Sequence, residues 1–177
     1  MQLEEPKANQ NKKCRDQKQL HEIVGMIQTF VIVFLITSVV FGFIVGPGSV
    51  KGNSMSPTLR DKELVLLWKL GTNYQAQDIV FLEIPEEDNV LVKRIIGVPG
   101  DKVEINQMGQ VLLNDKLLEE TYIAVETYPV SGEKRIQIQL GQGEYFVLGD
   151  NRVNSSDSRT FGVVREDGIR GKVIPIF

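Results

Sequence analysis

The chain has 177 residues and a net charge of −3, so it carries no basic footprint for nucleic acid, and an aromatic content of 7% offers few stacking platforms. No nucleic-acid partner is expected, and the length suits one core-forming domain once an N-terminal segment is set aside. The single cysteine, Cys14, and the single histidine, His21, both precede the first long apolar run, which excludes an internal disulfide and leaves the body without a Cys/His zinc site or a His-dependent nucleophile; no metal and no cofactor is expected.

In chain order, residues 1–20 are polar without apolar periodicity and read as a disordered cytoplasmic tail. Residues 21–46 read as a membrane anchor. Within them, residues 23–45 hold 23 residues and no charge. As a helix they reach about 34 Å, enough for a hydrocarbon core of ~30 Å. The competing reading, a cleavable signal peptide, needs an apolar region of roughly 7–15 residues and a small-residue cleavage site; this run is longer, and Val45-Gly46-Pro47 is a poor site. Lys7, Lys12, Lys13, Arg15 and Lys18 precede the run, against Lys51, Arg60 and Lys62 after it. The positive-inside rule then puts the amino terminus in the cytoplasm and residues 47–177 outside it.

From residue 47 onward, short apolar runs alternate with turn residues. "ELVLLWKL", "DIVFLEI", "NVLVKRIIGV", "KVEINQMGQVLLNDKLL", "RIQIQL", "EYFVLGD" and "GKVIPIF" read as strands, so the domain is mainly β. "EETYIAVETYPVSGEKRI" (119–136) has no clear period and stays open between a loop and an inserted hairpin. The apolar strands near Trp68 suit a membrane interface, where tryptophan concentrates.

Three stretches bear on chemistry. In "GNSMSPTL" (52–59), Pro57 stiffens the backbone and Gly52 and Asn53 permit unusual angles, giving a rigid turn. Ser54 is either presented on that turn or, with Ser56 and Thr58, serves it as a cap. In "NVLVKRIIGVPGD" (89–101), alternation puts Leu91, Lys93 and Ile95 on one face and Val92, Arg94 and Ile96 on the other, one cation per face. Arginine keeps its proton, whereas a desolvated lysine can lose it and act as a base, at roughly 3–5 kcal/mol for a pKa moved from ~10.4 to about 7–8. The alternative is that Lys93 extends its amine to water at the rim. In "GDNRVNSSDSRTFG" (149–162), hydroxyls, acids and arginines suit a hydrogen-bonded loop braced by an Asp150–Arg159 or an Asp157–Arg152 pair, between which the residues do not choose.

A spanning helix followed by "SMSPTL", "KRIIGVPGD" and "GDNRVNSSDSRTFG" in that order resembles the type I signal peptidases, in their small Gram-positive-like form, from the anchor to the carboxyl terminus. The resemblance implies a signal-peptidase-type β domain behind one transmembrane helix. It also implies a membrane-bound serine endopeptidase, working near the export translocon, that removes signal peptides from exported preproteins after small residues. Carried onto this chain, Ser54 resembles the nucleophile, Lys93 the general base and Ser155 the hydroxyl that supports the dyad. Asp150, Asp157 and Arg159 resemble the bracing charges, and Val50, Met55, Leu59, Leu91 and Val92 the small substrate pockets. Many relatives carry a serine oxyanion donor two residues before the nucleophile; Gly52 stands there in this chain, so a backbone amide or water is expected instead. The rivals are a self-cleaving repressor-type Ser-Lys protease, against which the anchor argues, and an inactive membrane-tethered β module.

Overall fold

A computed structural model describes residues 7–71, 73–85, 90–130 and 135–174. The chain divides into two compact units at Gly42/Phe43. The first is dominated by helix α1 (Lys7–Val39), which continues as one π-helical turn, Val40–Ile44. Gln17–Ile44, 28 residues, is long and apolar enough to cross a membrane. The helix starts well inside the stretch expected to be a disordered tail, because residues 7–20 are mostly Lys, Gln, Arg, Ala and Leu, which continue a helix readily once the apolar run has formed one. Residues 1–6 of that tail lie outside the described residues.

The second unit is mainly β, as its alternating runs predict. Its strands are β1 (Val45–Ser49), β2 (Leu64–Trp68), β3 (Ile79–Leu82), β4 (Leu91–Gly97), β5 (Lys102–Ile105), β6 (Val111–Leu113), β7 (Lys116–Leu117), β8 (Ile136–Gln139), β9 (Glu144–Leu148), β10 (Val164–Arg165) and β11 (Ile169–Ile174), with a four-residue helix α2 (Ser158–Phe161) between β9 and β10. All strand pairs are antiparallel, in a seven-stranded sheet of order β1-β2-β11-β3-β4-β9-β10 and a four-stranded sheet of order β7-β6-β5-β8. Asn89, at the head of one predicted strand, and residues 175–177, at the tail of another, lie outside the described residues.

Strand β1 departs from expectation, since Val45 and Gly46 fall inside the expected anchor. Pro47 cannot prolong a helix, but it is tolerated at the edge of a sheet, where β1 pairs only with β2. Gly48 is required there by packing: a Cβ would come within 2.2 Å of Leu67 Cδ1 and 2.8 Å of Phe81 Cζ.

Three buried clusters hold the unit together. Val50, Met55, Leu59, Val65, Leu67, Phe81, Val92 and Val173 form the one nearest Ser54 in sequence. Val80, Leu82, Ile95, Tyr145 and Val147 belong to the second, and Ile96, Val103, Ile105, Phe146 and Leu148 to the third. Strand β4 contributes to all three, and Ile95 and Ile96 serve different clusters because successive residues of a strand face opposite ways.

Candidate active site

Both cations of β4 are buried, Lys93 at 2% and Arg94 at 8% exposure. The strand is covered on both faces, so neither side chain reaches water by following the pleat. The Nζ of Lys93 and the Oγ of Ser54 lie 3.0 Å apart, across 39 positions of sequence.

The turn that carries Ser54 is closed at its neck by Val50 N–H to Glu63 O and Lys62 N–H to Val50 O, each 2.9 Å. Within it, Ser56 N–H reaches Asn53 O at 3.2 Å and Leu59 N–H reaches Met55 O at 2.9 Å, so the backbone holds the nucleophile candidate without help from its side chain. The N–H of Gly52 donates to Asp61 Oδ1 at 2.7 Å. That amide is committed, and its residue faces open space: among the described residues, chain neighbours aside, no atom lies within 4 Å of where a Cβ would stand.

The loop after β9 closes over the same turn. Its Asn151 donates twice, from N–H to Ser54 O at 2.9 Å and from Nδ2 to Asn53 O at 3.1 Å. Ladder partners Arg94↔Leu148 and Ile95↔Val147, extended by one step, set Lys93 opposite Gly149. A Cβ on Gly149 would meet Ser155 Oγ at 2.2 Å and Ser54 O at 2.6 Å, so the missing side chain is the space in which the loop after β9, the serine loop, and the Ser54 turn meet. Ser155 Oγ is buried there and makes no hydrogen bond among the described residues, so the expected contact with the Lys93 amine is not formed in this geometry.

The bracing charges pair differently from either alternative that the sequence left open. Asp150 takes Arg94 in a two-point fork, Nε to Oδ1 at 2.8 Å and Nη2 to Oδ2 at 2.6 Å. Asp157 takes Arg159 in another, with both nitrogens at 2.8 Å, and its carboxylate also caps α2 and accepts Gly149 N–H at 3.1 Å. Arg152 turns instead to Glu120, in the aperiodic segment. Both expected pairs, Asp150–Arg159 and Asp157–Arg152, are therefore corrected. The acids meet arginines from β4 and from two residues downstream because fork geometry needs approach in one plane, which short-range composition does not encode.

Sequence reasoning missed the contribution of residues 119–130. They form an irregular strap without strands, one that ends the choice between loop and hairpin for its described part; residues 131–134 lie outside it. From the strap, Glu120 and Thr127 hold the Arg152 guanidinium, Tyr122 stacks on Arg94, and Tyr128 O accepts Arg159 Nη1 at 3.2 Å. Burial first, and then the neighbouring Glu120 carboxylate, push the Tyr122 hydroxyl far above its ordinary range, so it remains a donor. The visible signal was a Glu-x-Tyr in a segment with no apolar period; nothing local named its partners.

Of the apolar residues expected to shape substrate pockets, Val50, Met55, Leu59 and Val92 sit in one core cluster, whereas Leu91 packs against another. A cleft of about 530 Å3 opens where the Ser54 turn ends, lined by Thr58, Leu59, Val65, Ile79 and Arg94 among others; Leu59 is the one expected pocket residue in its wall. A larger cavity, about 700 Å3 beside β10 and β11, holds none of the candidate residues, so size does not mark the site.

The family model described as signal peptidase, peptidase S26, matches residues 23–177. The chain belongs to that family. It is 38% identical over 170 residues to signal peptidase IB of Staphylococcus aureus (strain COL), covering 86% of this chain and 87% of the relative. It is 32% identical over 166 residues to signal peptidase I U of Bacillus subtilis (strain 168), covering 88% and 85%. Among solved structures, a signal peptidase I from Enterococcus faecalis V583 is 30% identical with a TM-score of 0.49, covering 58% of this chain and 97% of the other. This S26 chain is an enzyme, a serine endopeptidase of the signal peptidase I type, and its class of reaction is the removal of signal peptides.

Proposed function

We propose that the chain is a membrane-bound endopeptidase that cuts exported preproteins after small residues, with Ser54 as nucleophile and Lys93 as general base. The observation that carries this reading is the 3.0 Å approach of Nζ to Oγ by a lysine that is 2% exposed. Burial disfavours the ammonium, so the site favours a neutral amine able to accept a proton. As Oγ attacks the scissile carbonyl carbon, its proton passes to Lys93 Nζ. The tetrahedral intermediate collapses as the ammonium returns that proton to the leaving amine, leaving an acyl ester on Ser54. Water, deprotonated by the same amine, hydrolyses the ester and restores the pair.

Ser54 N–H is the first oxyanion donor. Gly52 N–H is not the second, since Asp61 already holds it, and the open space at Gly52 admits a water in that role. Residues 17–44 serve as the single-pass anchor, with the amino terminus cytoplasmic and the protease unit outside. A bilayer that holds both the anchor and the substrate's apolar segment raises the effective concentration of the scissile bond, and work near the export translocon follows from the same substrate.

Purified full-length protein in detergent is to be incubated with a preprotein and the new amino terminus mapped. Ser54→Ala and Lys93→Ala are expected to lose at least about a thousandfold in kcat. Lys93→Arg, which keeps charge but cannot give up its proton, is expected to be equally inactive. In the unaltered enzyme kcat falls as pH drops through the pKa of Lys93, because the protonated amine accepts nothing. Cleavage that survives Lys93→Arg removes the base assignment.

A further inference from the structure

The dyad mechanism leaves a network of polar side chains beside it unused. The ring of Tyr122 lies over Arg94, with Cζ 4.0 Å from the ring centre, and its hydroxyl donates to Glu120 Oε1 at 3.0 Å. Glu120 receives the Arg152 fork, Nη1 to Oε2 at 3.1 Å and Nη2 to Oε1, and the two side chains are 6% and 1% exposed. Each end of this chain of contacts touches the dyad through one neighbour. Arg94 follows Lys93 on β4. Arg152 follows Asn151, which donates to Ser54 O at 2.9 Å, and its own Nε holds Gly149 O at 3.0 Å.

On the Ser54–Lys93 reading, we propose that Glu120 and Tyr122 form a clip that sets the distance between nucleophile and base, and so are positioning residues for catalysis. A buried ion pair adds little stability compared with apolar residues of similar volume, so stability alone does not account for it. What a two-point fork with a third donor does supply is fixed geometry. The aperiodic strap has no ladder of its own to hold it, and these contacts tie it to β4 on one side and to the serine loop on the other. Opening the clip leaves the loop tied to β4 by the Asp150–Arg94 fork without the support of the strap, which lengthens the Nζ to Oγ approach and admits water to the amine. Misplacement on the order of 1 Å at a reacting pair is enough for about a hundredfold loss of rate.

The test uses the full chain in detergent with a preprotein substrate. Tyr122→Phe keeps the ring over Arg94 and removes its bond to Glu120; Glu120→Gln keeps the shape and removes the charge. Each is expected to lower kcat roughly tenfold or more with KM held within about twofold. The double variant should be no worse than the poorer single one, because the two residues act as a unit. The acid limb of kcat should move to higher pH as the amine becomes wetter. A melting temperature that falls while kcat per folded molecule and the acid limb stay put makes the clip a brace only and overturns the proposal. A rise in KM at constant kcat overturns it also. If Tyr122→Phe does not fold, Glu120→Gln decides alone, by its acid limb. Ser54→Ala and Lys93→Arg run alongside: activity in either refutes the dyad itself, whatever the clip variants do.

Discussion

Gly149 has no room for a methyl group, and the atoms it would strike are those of the site: Ser155 Oγ and Cβ and the Ser54 carbonyl oxygen, all within 2.6 Å of an added Cβ. All three belong to the two loops that must touch for Asn151 to reach Ser54 O, so the clash cannot be relieved without parting them. Gly149→Ala is expected to destabilise the unit by about 1–3 kcal/mol, as overpacking does, and to lower kcat further than that loss of folded protein explains. Urea unfolding and preprotein cleavage measured on the same preparation check both. Gly52 offers the contrast. Its φ of 80° favours glycine, but its Cβ position is open, so substitution there is a backbone effect and not a collision.

At the scale of elements, α2 shows how little helix a site needs when one carboxylate does several jobs. Asp157 caps the helix, accepts Gly149 N–H and pairs with Arg159, whose side chain is 4% exposed. Asp157→Ala removes the cap, worth about 1 kcal/mol. It also strands a buried guanidinium, for a combined cost on the order of 3–5 kcal/mol. Asp157→Asn, which can still cap, should recover about 1 kcal/mol of that. Chemical denaturation of the two variants side by side gives the comparison. Strand β4 is the other decisive element: it places one cation on each face, and the protein answers with the Asp150 fork under Tyr122 for Arg94 and with Ser54 for Lys93.

For the molecule as a whole, the chain divides into its two compact units at Gly42/Phe43, and the three buried clusters draw only on residues beyond that point. A protein beginning at Phe43 is therefore expected to keep the cooperative thermal unfolding of the β unit, followed by circular dichroism. Alkali should weaken that unit. Burial raises the hydroxyls of Tyr74, Tyr122 and Tyr145 above their ordinary value of 10.0, and nearby acids add to the rise. Above that pH the unfolded chain releases these protons while the folded chain retains them, so the unfolded state binds fewer protons and stability declines as pH rises. The denaturant midpoint should fall from neutral pH to beyond pH 10 and fall less in Tyr122→Phe.

Local pattern was sufficient for the helix able to cross a membrane, the mainly β body, and the family, because apolar period and ordered short motifs are properties of neighbouring residues. The residues alone left Ser54 and Lys93 each with a structural alternative, and the resemblance carried by the ordered motifs made them the candidates in a body without a histidine. Pairing across the fold was not legible. Whether Lys93 lay at the rim or under cover depended on strands on both sides of β4, and the partners of Asp150, Asp157 and Arg152 depended on planes of approach set by β4, α2 and an aperiodic strap. Strand β1 and the clip at Glu120 and Tyr122 went unread for the same reason: their stabilising contacts come from residues distant in sequence, and only the folded chain brings those together.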